Sequence, residues 1–318
     1  MIRRTRLRST VAAIGLLGAG SVGTGSLAAG CGGGSRTAAW EETTTESATP
    51  ASAEQQSQHA QLVEQGNAAW EQREDEQQLR AAIAAWTQAL EADASDWELW
   101  HRLSRAQYFL ADGHLAFRDS GDAIDPEATQ MYQAAITSAE RSLQALSPQF
   151  AERMRAGDRV DQAVAVLDAQ AVPALYWRAA ALGKWARRDG FATVLAYKDE
   201  IRGIMSRCLE LDRDYFYAGP DRYFGAFFAI APTYAGGDLN RSREHFEYSI
   251  SRYPAYLGTH VLYATEYAVK MQDRALFQRE LQLVVDGDAA ALPEVRAENL
   301  AEQRKARAAL ERIDSLFE

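Results

Sequence analysis

Side chains that could carry chemistry are few and scattered along this chain. The five histidines, His59, His101, His114, His245 and His260, show no H-x-x-x-H or H-x-x-E-H spacing, so no two fall one helical turn apart as zinc ligands would. No G-x-S-x-G elbow, phosphate-cradling P-loop or paired-cysteine zinc motif occurs. Asp212 and Asp214 form a carboxylate pair of the kind that turns commonly carry. Cys208 falls at a small-residue position of a helical pattern, where an inert buried thiol is expected. His245, beside Phe246, reads as a packed or surface imidazole. These features predict no enzyme, no metal and no cofactor.

Binding chemistry is better represented. Between Tyr215 and Tyr267 aromatics are dense and Tyr is prominent among them, a side chain with an apolar body and a polar tip suited to a half-wet pocket. Arg222 stands between Asp221 and Tyr223, just after Gly219-Pro220, where its planar guanidinium could hold a carboxylate bidentately. It could equally pair with Asp214 or Asp221 and fix the turn. The candidate ligand-binding residues are Tyr217, Arg222, Tyr223, Trp177, Tyr256 and Tyr263, with Lys184 and Trp185 as weaker candidates. Aromatic stripes at helical spacing also build cores, and that reading stays open.

The elements that must position these residues are helical. Alanine is abundant, prolines number 8 and β-branched runs are scarce, in a chain that is 47% hydrophobic and 25% charged. Gly66 to Trp70 lies on a first helix, Ala82, Trp86 and Ala89 mark its partner, and Trp97 to Tyr108 a third. Asp112 to Pro126 interrupts. Helical period returns from Tyr132 to Leu146, a polar helical stretch spans Gln149 to Asp168, and helices follow from Ala174 to Gly190 and from Ala192 to Leu211. Asp238 caps a helix that Tyr253-Pro254 stops, because Pro254 disfavours helical geometry at the residue before it. Ser242, Phe246 and Ser249, then the proline and a new helix bearing His260, Tyr263 and Tyr267, follow the tetratricopeptide (TPR) order. A helix from Asp273 to Val285 precedes a last one, Glu294 to Phe317, acidic in its first half and basic in its second, which suits the helix dipole and a solvated outer face. The expectation is an all-α, TPR-like helical-hairpin solenoid of four degenerate repeats with a C-terminal packing helix, occupying residues 59–318.

What precedes the domain reads as export and tethering. Met1 to Arg8 is basic and Val11 to Leu17 apolar, too short a run for a stable membrane span. Leu27-Ala28-Ala29-Gly30-Cys31 looks like a lipobox, with residues 1–30 as leader and Cys31 lipidated; a plain secretory peptide is the alternative. Gly32 is not the aspartate that retains lipoproteins at the inner membrane, which points the anchor to the outer one. The Gly18, Gly20, Gly23 spacing imitates a dinucleotide fingerprint but follows no strand. Residues 31–58, rich in Gly, Ser, Thr, Ala and Glu, read as a flexible tether with a reach of roughly 30 Å. The formal charge of −10, or −14 once Arg3, Arg4, Arg6 and Arg8 leave with the leader, argues against nucleic acid and against electrostatic binding to anionic lipid.

Two blocks carry a resemblance to a known family: Phe216, Gly219, Pro220, Arg222, Gly225, Ala226 and Phe227, then Gly236, Gly237, Asp238, Ser242, His245 and Phe246. Taken with the aromatic run at 174–185, they resemble the T component of tripartite ATP-independent periplasmic (TRAP) transporters, the TatT family of TPR-like lipoproteins. The resemblance implies a periplasmic, lipid-tethered accessory subunit, a homo-oligomer and specifically a trimer. It implies docking of the substrate-binding P component and non-covalent passage of a small organic ligand, carboxylate or hydrophobic, through a cavity or pore. The competing reading is a TPR scaffold lipoprotein that assembles envelope proteins and holds no ligand.

Overall fold

The computed structural model describes residues 36–42, 52–119 and 123–317. The leader at 1–30 and the lipidation at Cys31 lie outside the described residues. Among the described residues the chain is helical, joined by turns. Helices α1 (Ala53–Trp70) and α2 (Glu76–Ala92) pack as a first hairpin, and α3 (Trp97–Phe109) and α4 (Pro126–Leu146) as a second. Two short helices, α5 (Pro148–Arg155) and α6 (Val160–Ala163), lead to the hairpin of α7 (Val172–Asp189) and α8 (Phe191–Leu211). The next pair is α9 (Tyr215–Ile230) with α10 (Leu239–Arg252). Helix α11 (Leu257–Leu262) runs through a π-helical turn at Tyr263–Ala268 into α12 (Val269–Met271), and α13 (Arg274–Asp286) and α14 (Arg296–Glu311) complete the chain. No described helix is long and apolar enough to cross a membrane.

Short polar residues start these helices where the sequence places them. Asp75, Asp96, Asp125, Asp238 and Asp273 each accept from first-turn amides, and Ser52 and Gln55 form a reciprocal capping box. Each such cap is worth about 1 kcal/mol. Glycine sets how closely partner helices approach: a Cβ at Gly66 would lie 2.3 Å from the Trp86 ring, and one at Gly225 2.8 Å from Phe246.

Several boundaries differ from the sequence expectation. Helix α1 begins at Ala53, ahead of His59, because the Ser52 box supplies a start that composition hid. Residues 36–42, expected to be part of a free tether, are docked on the body, with Trp40 only 6% exposed in the core of α4, α5 and α7. Trp40, Arg36 and the Ala39 amide all contact the body. The stretch 149–168 is not one helix but α5, α6 and a single-turn 3-10 segment at Val164–Val166. Helix α3 continues through a π-helical turn at Leu110–His114 rather than ending at Asp112. The closing helix stops at Glu311, and its charges divide: Arg304 and Arg307 are exposed as a solvated face requires, while Glu298 is buried and Glu302 and Lys305 are half-buried.

Candidate functional site

The site grows from the first turn of α9. Phe216, Tyr217 and Ala218 have φ of 47°, 58° and 53°, a full turn of left-handed helix built without glycine. Each residue costs roughly 1–2 kcal/mol there, since Cβ crowds the following carbonyl. Arg222 holds the turn. Its Nη1 donates to the Tyr217 carbonyl at 3.0 Å, and its Nη2 to the Phe216 carbonyl at 3.2 Å and the Tyr176 hydroxyl at 2.9 Å. The guanidinium also lies 4.4 Å from the Tyr256 ring centre. Gly219 is not the bend expected of a Gly-Pro pair. It is needed for space, because a Cβ would come within 2.5 Å of the Tyr176 ring.

This turn throws Phe216 against Trp177, at 4.7 Å, on the wall of a cavity of about 480 Å³. The cavity opens to solvent on one side and is lined by α3 and the turns that follow it, α4, α7, α9, α11 with its π-helical turn, and α14. Tyr108, Tyr132, Tyr176, Trp177, Phe216 and Tyr256 supply its aromatic surface. Six cationic side chains line it, Arg105, Lys184, Arg187, Arg188, Arg222 and Lys305, against four carboxylates, Asp112, Glu266, Glu298 and Glu302, an excess of two positive charges in a chain of net −10.

Most of these charges are matched. Asp112 bonds Lys184 at 2.6 Å and Lys305 at 2.5 Å, Glu298 bonds Arg105 at 2.6 Å and Arg73 at 2.9 Å, and Arg187 faces Glu266 at 3.4 Å. Burial would raise the Asp112 carboxyl, but the two ammonium groups hold it well below the usual carboxylate range. Glu298 is likewise held down by Arg105 and Arg73 against its burial. Arg222 differs. Only 5% exposed, it has no carboxylate at ion-pair distance among the described residues, because Asp214 pairs with Arg252 and Asp221 with Arg213 and His245. The alternative of a turn-fixing ion pair is thereby overturned; backbone carbonyls do that work. Burial also keeps the Tyr108 and Tyr256 hydroxyls protonated, pushing both pKa values up, so they remain donors.

Of the residues singled out from sequence, Trp177, Arg222, Tyr256 and Lys184 line the cavity. Tyr217, Tyr223 and Tyr263 do not, and Trp185 packs on Tyr197 at 5.6 Å. Tyr217 stands behind the wall, stacked on Tyr256 at 5.0 Å with its hydroxyl donating to Glu294. Tyr223 is one residue around the helix from Arg222 and packs on Phe224 and Phe227. Tyr263 misses because Gly258, Val261, Leu262, Thr265 and Glu266 form the inward stripe of its element. It faces Phe246 and Tyr267 in the core instead. Sequence reasoning missed Arg105, Tyr108, Asp112, Tyr176 and the stripe Glu298, Ala301, Glu302, Lys305. The last had a signal: its spacing of three, one and three residues puts all four on one face of α14.

Elsewhere, Cys208 is fully buried and burial raises its thiol pKa far up, as an inert thiol requires. Among the described residues no cluster of His, Cys, Asp or Glu could hold a metal.

Fold and site together define a class: helical-hairpin proteins whose helices line a cavity of small-molecule size. Residues 118–317, well over half the chain, match the family described as the TRAP transporter T-component, and the chain belongs to that family. It is an accessory subunit of a TRAP transport system. No curated protein matches the sequence.

Proposed function

We propose that this T component holds a small organic anion with an apolar body in the cavity and exchanges it, without covalent chemistry, with a docked substrate-binding P component. The observation that carries the reading is Arg222, a buried guanidinium on an aromatic wall with no carboxylate partner among the described residues. Its positive charge is balanced only by neutral acceptors, two backbone carbonyls and the Tyr176 hydroxyl, and a ligand carboxylate reaching the guanidinium from the cavity side would match it. Trp177, Phe216 and Tyr108 offer the apolar body flat surfaces. The lysine–aspartate group of Lys184, Asp112 and Lys305 supplies further polar contacts farther along the wall.

The proposal includes the setting implied by the family, a periplasmic protein anchored through an acylated Cys31 and associating as a trimer, with Gly32 pointing that anchor to the outer membrane. Native mass spectrometry of residues 36–318 tests it, alone and with the substrate-binding protein encoded beside it, in the presence of an aryl carboxylate such as 4-phenylbutyrate. A trimer that takes up the partner and retains the carboxylate is the expected result. A monomer indifferent to both would refute the reading and favour a ligand-free scaffold.

A further inference from the structure

Residues 36–42 sit where composition suggests a free linker, yet their hold on the body is specific. Trp40 meets Phe150 edge-on at 5.9 Å and lies 4.8 Å from the Arg178 guanidinium. Arg36 donates to both oxygens of Glu140, at 2.5 and 2.9 Å, and the Ala39 amide donates to the same carboxylate at 2.8 Å. Glu140 has no exposed surface and also receives Arg178 at 2.9 Å. Lifting the segment would take two charge-assisted partners from a buried carboxylate and uncover an indole, so the segment stays down.

Cys31 stands five residues before Arg36. Five residues span at most about 18 Å. Were the segment free, the 22 residues from Cys31 to Ala53 would have a root-mean-square reach of about 26 Å and a limit of about 80 Å. We propose that residues 36–42 are a strap that shortens the anchor and turns the face built by α4, α5 and α7 toward the lipid surface. The inference rests on the lipid-anchor reading of Cys31. On α7 the neighbours Trp177 and Arg178 diverge, the first onto the cavity and the second onto the strap. The strap therefore fixes how the cavity is presented to a docking partner, which a long loose tether would leave free to turn.

The test uses the full chain, acylated in a bacterial host and reconstituted into phosphatidylcholine–phosphatidylglycerol vesicles that carry an acceptor dye on lipid. A donor is attached through Gln149→Cys, an exposed site beside Phe150; Cys208 is buried and does not compete. Two insertions of about twenty Gly/Ser residues are compared, one between Gly33 and Gly34 and one between Thr44 and Thr45. With the strap docked, only the first lengthens the leash, so only the first loses energy transfer. Equal loss from both insertions overturns the proposal. Flotation with the vesicles separates the premise: a chain that does not float has no anchor, and the proposal falls with it for that different reason.

Discussion

Replacing Ala218 by glycine should cost almost nothing, although Ala218 is fully buried inside a helical segment. The comparison is Ala139→Gly, at an equally buried position in the right-handed helix α4. There glycine forfeits about 1 kcal/mol of helix propensity and about 0.8 kcal/mol for the lost methyl, roughly 2 kcal/mol together. At position 218 the methyl loss is the same and glycine's greater chain entropy costs about 0.5–1 kcal/mol. Relief of the left-handed strain returns roughly 1–2 kcal/mol. The sum lies near zero, so the two substitutions should differ by about 2 kcal/mol despite identical chemistry and burial. Urea unfolding followed by far-ultraviolet circular dichroism measures both, with unchanged slopes showing that midpoints can be compared. If Ala218→Gly loses as much as Ala139→Gly, the left-handed turn is not a strained element and the account of what Arg222 holds is wrong.

Three further outcomes follow from the same geometry. The protein should bind 4-phenylbutyrate about 10- to 100-fold more tightly than the neutral 4-phenylbutanol, read by tryptophan fluorescence, and Arg222→Gln should remove most of that ratio whatever it does to the wall; a ratio left intact would remove the anion role. Gly237→Ala should lose about 3 kcal/mol or more in chemical denaturation, since its Cβ would fall 1.8 Å from the Ala231 carbonyl oxygen, an atom that cannot swing aside. Burial, aided by Arg102, lowers the His101 pKa from 6.5 to about 4, so the unfolded chain binds a proton that the folded one refuses. That stability is fully present above about pH 6.5 and is lost as pH falls toward 4, at most about 3 kcal/mol. His101→Leu should flatten this slope in pH-dependent thermal melts, and an unchanged slope would place the acid sensitivity elsewhere.

The helices were legible because their signals are local. Asp238 as a cap, Pro254 as a stop and the Ser242–Phe246–Ser249 stripe all act within a few residues, and the structure repeats them. The cavity was legible only in part, because its wall is non-local. Arg222 announced itself through an unusual neighbourhood, but whether Tyr217 or Phe216 faces inward depends on a left-handed turn that no propensity predicts for aromatic residues. Nothing local marked Arg105, and Lys305 read as part of a solvated helix face. Only the fold brings them to Glu298 and Asp112, 193 residues away in each case. The strap was hidden for the opposite reason: a composition that cannot fold alone can still dock when one indole and one guanidinium find a prepared site.

Solenoids made of stacked repeats contact only their neighbours, and so can fray or be shortened one unit at a time. The last helix of this protein removes that freedom. Glu298 clasps Arg73 at a separation of 225 residues, and Arg304 reaches the carbonyl of Gly113. Clasps of this kind delay completion, because loops of 191 to 225 residues must close first. During synthesis the earlier hairpins can form while the cavity still lacks the wall that Glu298, Ala301, Glu302 and Lys305 supply. Premature termination before α14 would thus yield a largely helical product whose cavity lacks one wall.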